Sequence, residues 1–410
     1  GIEIWGGTVN LKYLSIWNIG DDSLDIDQGF RGKVQFGLIV QGYSKDDKQG
    51  SGVGDNCCET DGAEDSHYQP VTTTSIYNFT IIGQPDSGDR ATAWRDNARV
   101  QYYNCIFMDC GEEIVGFDDK DGDGGNGYGY QGTASWAATW TTPYTQYSTV
   151  NAPTNPAAFY QAQHRGNWAG ICNSVFYNNL SRSAYTEADA RGVFAAANGN
   201  VKEPTNSPIT SITRAAAVLK GGLSQRRVTA LDPRPANDAL NLAVTACPPN
   251  DGFWSPVRVR GAFTPGNNWL VSWTSSWAYG ITTAGTPWTD LGNCLTGKYC
   301  CPNLALSGPL TANSTVNLSL TNAIENAPAY LGFGLGATLD LPFMGGVLVP
   351  NIGLGGAVPI ATNSQGQLVI NNAPFVGLPK GTLLTLQCWI VDANGPFGLS
   401  ASNAVCGEAQ

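Results

Sequence analysis

The sequence predicts an all-β protein in two parts, a parallel β-helix over residues 1–285 and a β-sandwich over residues 286–410. Three observations predict it. First, 50 glycines and 23 prolines, with frequent Asn, Thr and Ser and only two methionines, favour turns and extended segments over helices. Second, five short apolar segments of the first half lie over one another as a weak repeat. Third, from "CPNLALSGPL" at 301 onward charge nearly vanishes, and short apolar runs are separated by Gly, Pro and Asn turns, which is sandwich patterning.

The repeated segments are "YLSIW" (13–17), "QFGLI" (35–39), "NFTII" (78–82), "NCIFM" (104–108) and "NSVFY" (173–177), with starts 22, 43, 26 and 69 residues apart. Residues two apart share a face of a strand. The superposition therefore stacks Leu14, Phe36, Phe79, Cys105 and Ser174 in one inward column and Ile16, Leu38, Ile81, Phe107 and Phe176 in a second. Ahead of them run Tyr13, Gln35, Asn78, Asn104 and Asn173, where the recurring Asn forms a ladder or marks a corner. An ordinary sandwich of similar strands is the alternative, but the 22-residue gap favours a β-helix, because hairpin strands recur at roughly 8 to 12 residues. Residues 122–165, rich in Gly, Thr, Trp and Tyr, read as a long insertion, and the region near 185–245 reads as short helices and loops, in "EADARGVFAAANGN" and "ITRAAAVLKGGLSQRR". In the last part, "GVLVP", "GQLVI", "TLLTLQCWIV" and "LSASNAV" read as strands of the sandwich, behind a Cys-containing linker.

With 410 residues and 42% hydrophobic side chains the chain has material for a substantial core. Its net charge of −11 arises with only 13% charged residues, so Lys and Arg are scarce. Nucleic acid and membrane insertion are excluded as partners, because clustered cations and an 18-residue apolar span are both missing from the sequence. The 11 cysteines make no C-x-x-C pair, and with His67 and His164 the only histidines they read as disulfides of an oxidising compartment, not as a zinc site. The odd count leaves one thiol over. The opening "GIEIWGGTVNLKYLSIW" has no export signal, so a processed or truncated extracellular form is expected.

Three longer stretches carry a resemblance. "GIEIWGGTVNLKYLSIWNIGDDSLDIDQGF" resembles a segment of large secreted bacterial proteins of the right-handed parallel β-helix, pectate-lyase-like kind, and "GFWSPVRVRGAFTPGNNWLVSWT" at 252–274 resembles the segment that follows the coils in them. "LPFMGGVLVPNIGLGGAVPIATNSQGQ", with "GLPKGTLLTLQCWIVD" and "GLSASNAV", is similar to a small β domain at the ends of many secreted bacterial proteins. The resemblance implies a right-handed solenoid, secretion and a C-terminal attachment domain; most such proteins have no assigned activity. Cys388 and Cys406 lie together in that last domain and are a sensible pair, while Cys57, Cys58, Cys105, Cys110, Cys294, Cys300 and Cys301 are further disulfide candidates of open connectivity.

Four features bear on chemistry. Asp119, Asp121 and Asp123 before Gly124 satisfy D-x-D-x-D-G, the first half of a calcium loop, with Asp118, Glu112 and Glu113 able to complete the shell; Tyr130 stands where an EF-hand has its bidentate Glu, and a solvated turn is the alternative. In "GDDSLDID", if Leu24 and Ile26 face the core, Ser23, Asp25 and Asp27 face solvent behind Asp21 and Asp22. "GDDSLDI" resembles the aspartate pair of polygalacturonases, which makes Asp21, Asp22 and Asp25 the catalytic candidates, with Arg31 and Lys33 as basic partners for a lyase; the rest of that pattern departs. The acidic loop 54–68 carries Asp55, Glu59, Asp61, Glu64 and Asp65 beside the vicinal Cys57 and Cys58, and reads as a disulfide-pinned surface loop. Trp136, Trp140, Tyr144 and Tyr147 form either a sugar platform or the insertion's own packing.

The leading expectation is an extracellular structural protein, disulfide-stabilised and calcium-binding, that self-assembles head-to-tail with further copies or with other matrix components into a surface filament. The alternatives are a polysaccharide-active β-helix enzyme, lyase or glycosidase, and a carbohydrate-binding adhesin.

Overall fold

The computed structural model describes residues 1–43, 52–62, 72–95, 98–117, 170–179, 195–235, 239–242, 246–283 and 287–410. It divides into two compact units, Gly1–Pro233 with Arg260–Ala262, and Arg234–Val259 with Phe263–Gln410, so the division falls earlier than residue 285.

In the first unit the strands are β1 (Ile2–Trp5), β2 (Leu11–Trp17), β3 (Leu24–Asp27), β4 (Lys33–Val40), β5 (Cys58–Asp61), β6 (Thr73–Ile82), β7 (Thr92–Arg95), β8 (Arg99–Tyr103), β9 (Ile106–Met108), β10 (Val115–Phe117), β11 (Gly170–Cys172), β12 (Val175–Tyr177) and β13 (Val201–Lys202). They build two parallel sheets. The first has the order β1-β3-β5-β7-β10; the second runs from β2 through β4 and β6 to β8 and β9, then β11 and β12, then β13. The chain visits the sheets alternately, and each pass through both is called a rung below. Ile2, Leu24, Cys58, Thr92 and Val115 stand in one column, so successive rungs are 22, 34, 34 and 23 residues long.

Alternation explains the core. Leu24, Ile26 and Trp94 from the first sheet and Val34, Phe79, Ile81, Phe107 and Phe176 from the second are all buried in one apolar cluster. Phe107 and Phe176 stack at 5.1 Å in adjacent rungs. The register corrects one of the five sequence segments: Leu14 pairs with Gly37 and Gly37 with Phe79, so the repeat in the second rung is 36–40 and not 35–39. Gly37 takes the place expected for Phe36 because the Phe79 ring fills the space; a Cβ there would lie 2.2 Å from Phe79 Cζ. Ile39, not Leu38, then stacks with Ile16 and Ile81. The residues ahead of the column, Tyr13, Phe36, Asn78, Asn104 and Asn173, all have φ between 51° and 60°. They mark a corner in the left-handed region, which Asn tolerates better than most residues.

Residues 212–227 do not form the expected helix. They contribute to two antiparallel pairs, β14 (Ser211–Arg214) with β17 (Val228–Asp232) and β15 (Val218–Lys220) with β16 (Leu223–Gln225). Gly221 and Gly222, with φ of 55° and 82°, make the tight turn between β15 and β16, which helix propensity of the preceding alanines does not override. The pairs strap the rungs together: Arg214 donates to Gly83 O (2.9 Å) and to Asp109 Oδ2 (3.0 Å), and Arg226 to Asp86 Oδ2 (2.8 Å).

Among its described residues the second unit holds two one-turn α-helices, α1 (Ala239–Leu242) and α2 (Ser275–Ala278). Its strands are β18 (Trp288–Gly292), β19 (Asn303–Ser307), β20 (Ser314–Thr321), β21 (Pro328–Leu335), β22 (Leu341–Phe343), β23 (Gly346–Leu348), β24 (Gly356–Ala361), β25 (Leu368–Phe375), β26 (Leu383–Val391), β27 (Leu399–Ala401) and β28 (Ala404–Glu408). They pair antiparallel as β18-β28-β26-β21-β24, with β27 beside β26, as β19-β20-β25, and as the hairpin β22-β23. Leu304, Leu318 and Leu320 from the three-stranded sheet and Ala329, Leu386, Ile390 and Val405 from the larger one share one apolar cluster. Alternating burial along β20 and β21 is the pattern of strands with one face inward.

Two disulfides form, Cys247–Cys300 and Cys294–Cys301, so the vicinal Cys300 and Cys301 take different partners. The other cysteine expectations are corrected. Cys57, Cys58, Cys105, Cys110, Cys388 and Cys406 are free thiols. Cys388 and Cys406 are not a pair because of strand parity: Leu386 is opposite Val405 and Thr385 opposite Cys406, so Cys388 points into the core with Leu386 while Cys406 points to the other face. Cys57, Cys58, Cys105 and Cys110 are fully buried side chains of the first unit's apolar cluster, not pins of a surface loop.

Candidate functional site

Seen along the first sheet, the outward residues form two columns, Glu3, Asp25, Glu59, Ala93 and Gly116, and Trp5, Asp27, Asp61 and Arg95. Leu24 and Ile26 are fully buried as the alternation requires, whereas Ser23, expected to face solvent, is buried in the turn before β3. The turns entering β3, β5 and β7 repeat as well: Gly20-Asp21-Asp22, Gly54-Asp55-Asn56 and Gly88-Asp89-Arg90 recur at an interval of 34 residues. Stacking places Asp21, Asp55 and Asp89 in one file and Asp22, Asn56 and Arg90 in the next.

Two carboxylate clusters result, Asp21 with Asp22 and Asp55, and Asp22 with Asp25 and Glu59, the ligand-capable oxygens of each lying within 4.8 Å of one another. Asp21, Asp22, Asp55 and Glu59 line a cleft of about 460 Å³ that continues over Asn56 and Ala93 to Arg90, Arg95 and Gly116, and Asp25 adjoins it through Asp22 and Glu59. The cleft is acidic over the rungs of β3 and β5 and turns basic at the rung of β7. Arg95 Nη1 lies 3.0 Å from Glu59 Oε1 and 3.5 Å from Asp61 Oδ2, and Arg90 Nε lies 3.2 Å from Glu113 Oε2. Gly116 makes room for Arg90: a Cβ there would lie 2.2 Å from Arg90 Cδ.

Crowding governs the protonation of these groups. Burial, reinforced by the charges of Glu59 and Asp55, raises Asp22 to about 9, against one opposing hydrogen bond from Asn56; its backbone N–H donates to Asp22 Oδ1 at 2.9 Å. Asp22 is also hydrogen-bonded to Glu59. Burial and the carboxylates of Glu59, Asp27, Glu3 and Asp21 raise Asp25 to about 7. Asp55 rises to about 6, chiefly by burial and then by Asp89, Glu59 and Asp21, with Arg90 pulling the other way. Near neutrality the site therefore contains a protonated carboxyl, Asp22, beside carboxyls close to their midpoint, the separation of roles that acid–base chemistry requires. One neutral acceptor is left over: Asn56 is 3% exposed, lines the cleft, and its Oδ1 accepts no hydrogen bond from the described residues.

Of the residues singled out by sequence, Asp21, Asp22 and Asp25 come together, and Asp55 and Glu59 of the acidic loop join them. Arg31 and Lys33 do not: Arg31 is buried after β3, with its backbone N–H on Gly7 O, and Lys33 opens β4 in the second sheet. Arg90 and Arg95 occupy the basic end instead. The 34-residue recurrence of Gly-Asp is the signal that would have located their rung. Glu112 and Glu113 precede β10, and Asp118, Asp119, Asp121 and Asp123, the proposed calcium loop, lie outside the described residues, as do Glu64, Asp65, His67, Trp136, Trp140, Tyr144, Tyr147 and His164.

Residues 1–174 match the family described as a pectate-lyase like beta helix domain. No curated protein and no solved structure matches the chain. No helix among the described residues is long and apolar enough to cross a membrane.

Proposed function

We propose that this is an extracellular protein, a right-handed parallel β-helix followed by a β-sandwich, that binds and cleaves an acidic polysaccharide in the cleft of its first sheet. One observation carries the reading: carboxylates from the rungs of β3 and β5 converge beside two arginines of the next rung in an open groove. The pectate-lyase-like match over residues 1–174 supports the fold and the polymer class. In this reading Asp22, held protonated at neutral pH by its surroundings, gives its proton to the glycosidic oxygen as the C–O bond breaks. Asp25, near its midpoint at neutral pH, attacks the anomeric carbon or takes the proton of the attacking water. Arg90 and Arg95 hold the uronate carboxylates by charge-assisted hydrogen bonds. Incubation with polygalacturonate should release reducing ends, and Asp22→Ala should lower kcat/KM about 100-fold or more. Absence of reducing ends from every uronate polymer tried would sink the reading.

A second use of the same residues is favoured by Asn56 Oδ1, a buried carbonyl oxygen without a partner among the described residues. Asp21, Asp22 and Asp55 bring oxygens within 4.8 Å of one another, and with Asn56 lining the same cleft they offer an all-oxygen donor set of the kind that suits calcium. A cation there would neutralise the carboxylates and bridge the acidic polymer, making the protein a calcium-dependent glycan binder. Retention on polygalacturonate that EGTA abolishes, without turnover, identifies this use.

A further inference from the structure

We infer that the second unit carries a separate carbohydrate-binding platform, the exposed indole face of Trp273, for the apolar face of a sugar ring irrespective of its charge. The proposal shares with the cleft reading only the class of ligand, a polysaccharide.

Three rings are stacked in series. Phe263, 1% exposed, packs on Trp269 with centroids 4.9 Å apart and planes at 6°, and Trp269 packs on Trp273 at 6.2 Å and 23°. The last ring of the stack is 60% exposed. Its only polar atom is already used, because Trp273 Nε1 donates to Trp269 O at 2.5 Å. What faces solvent is therefore an aromatic face whose orientation is fixed from behind by the half-buried Trp269 ring, itself backed by the buried Phe263, and from the side by a hydrogen bond. Such an anchor loses little conformational entropy when a ligand settles on it.

The loop beneath is built to hold that orientation. Asn268, nearly buried, donates through Nδ2 to Thr283 O at 2.9 Å, and Thr274 Oγ1 donates to Leu270 O at 2.7 Å while accepting the Trp277 N–H at the start of α2. Ser272, immediately before Trp273, has φ 74°, a conformation an L residue adopts at a cost.

The surroundings select the occupant. A protein or lipid partner needs a contiguous apolar patch of several hundred Å². Trp273 instead stands between the exposed Ser272 and Ser275, whose hydroxyls suit the hydroxyl edge of a sugar. From Gly261 to Thr289 the sequence contains no charged residue, so the platform's own segment offers no cation to phosphate headgroups or nucleic acid. An apolar ring face rimmed by hydroxyls matches a pyranose, with its C–H face and polar edge.

Native affinity electrophoresis through gels containing hydroxyethylcellulose, a soluble neutral polysaccharide, tests the inference. The expected result is retardation of the protein, weakened at least tenfold in Trp273→Ala, largely kept in Trp273→Phe, and unaltered in Tyr330→Ala, which removes an exposed aromatic on β21. Retardation should persist in EGTA and in high salt. Equal migration of wild type with and without the polysaccharide, or equal retardation of wild type and Trp273→Ala, overturns it, as does Trp273-dependent flotation with phosphatidylcholine vesicles. Reducing-end release from a short oligo-uronide should be the same in Trp273→Ala as in wild type. If that release is missing in both, the cleft reading fails while the platform stands on the electrophoresis.

Discussion

At the scale of residues, the protonation of Asp25 and Asp22 ties stability and activity to pH. The folded-state pKa of Asp25, about 7, lies above its ordinary value of 3.8, so the folded chain binds more protons than the unfolded chain between these pH values. Stability from this group is whole below about pH 4 and is lost as the pH rises through 7. Asp25→Asn should therefore raise the unfolding free energy at pH 8 by about 1–2 kcal/mol after allowance for solvent screening of a half-buried carboxylate, and leave it unchanged at pH 4. Urea unfolding at the two pH values checks this. The same pair sets the expected rate profile: kcat should fall on the acid side as Asp25 takes up a proton near 7 and on the alkaline side as Asp22 loses its own near 9. The aspartates of "GDDSLDID" were legible as a carboxylate pair because they are adjacent in the chain. Their elevated pKa values were not, because burial, the main cause, and the charge of Glu59, which raises both, come from the stacking of the next rung.

At the scale of elements, two glycines show how register makes a site. Gly37 yields its space to Phe79, and Gly37→Ala should cost roughly 1–3 kcal/mol of unfolding free energy by forcing the ring aside. Gly116 yields to Arg90, a flexible side chain, so Gly116→Ala should leave thermal unfolding nearly unchanged and instead raise KM for acidic polymer by displacing the guanidinium. Measuring both melting temperature and KM separates these two effects. The periodicity of two in the strands was readable from apolar residues alone, but the one-residue slip at 35–39 was not, since Phe36 and Leu38 alternate as well as Gly37 and Ile39 do. Only contact with Phe79 decides between them, because a slip of one residue exchanges the faces of the strand. The strap over 211–232 was missed for a similar reason: alanine runs favour a helix in isolation, and the Gly221-Gly222 turn together with Arg214 on Asp109 overrides that weak preference.

For the whole molecule, both disulfides belong to the second unit, whereas the first carries buried thiols. Cys247–Cys300 spans 53 residues, a loop whose closure restricts the unfolded chain by roughly 4 kcal/mol. Reductant should therefore lower the calorimetric transition of the second unit and leave that of the first in place; equal shifts in both would contradict this assignment of the crosslinks. Composition, alternation and the wide spacing of apolar segments determined the all-β class and the parallel strands of the first half, because these follow from side-chain sequence within single strands. The acidic pair in "GDDSLDID" was also set at that level. Tertiary structure alone decided which cysteines meet, since strand parity sends Cys388 and Cys406 to opposite faces. It also decided that Arg90 and Arg95, rather than Arg31 and Lys33, complete the cleft: partners across parallel rungs are separated by whole rungs of chain, and only the register of the sheet says which residues stand side by side.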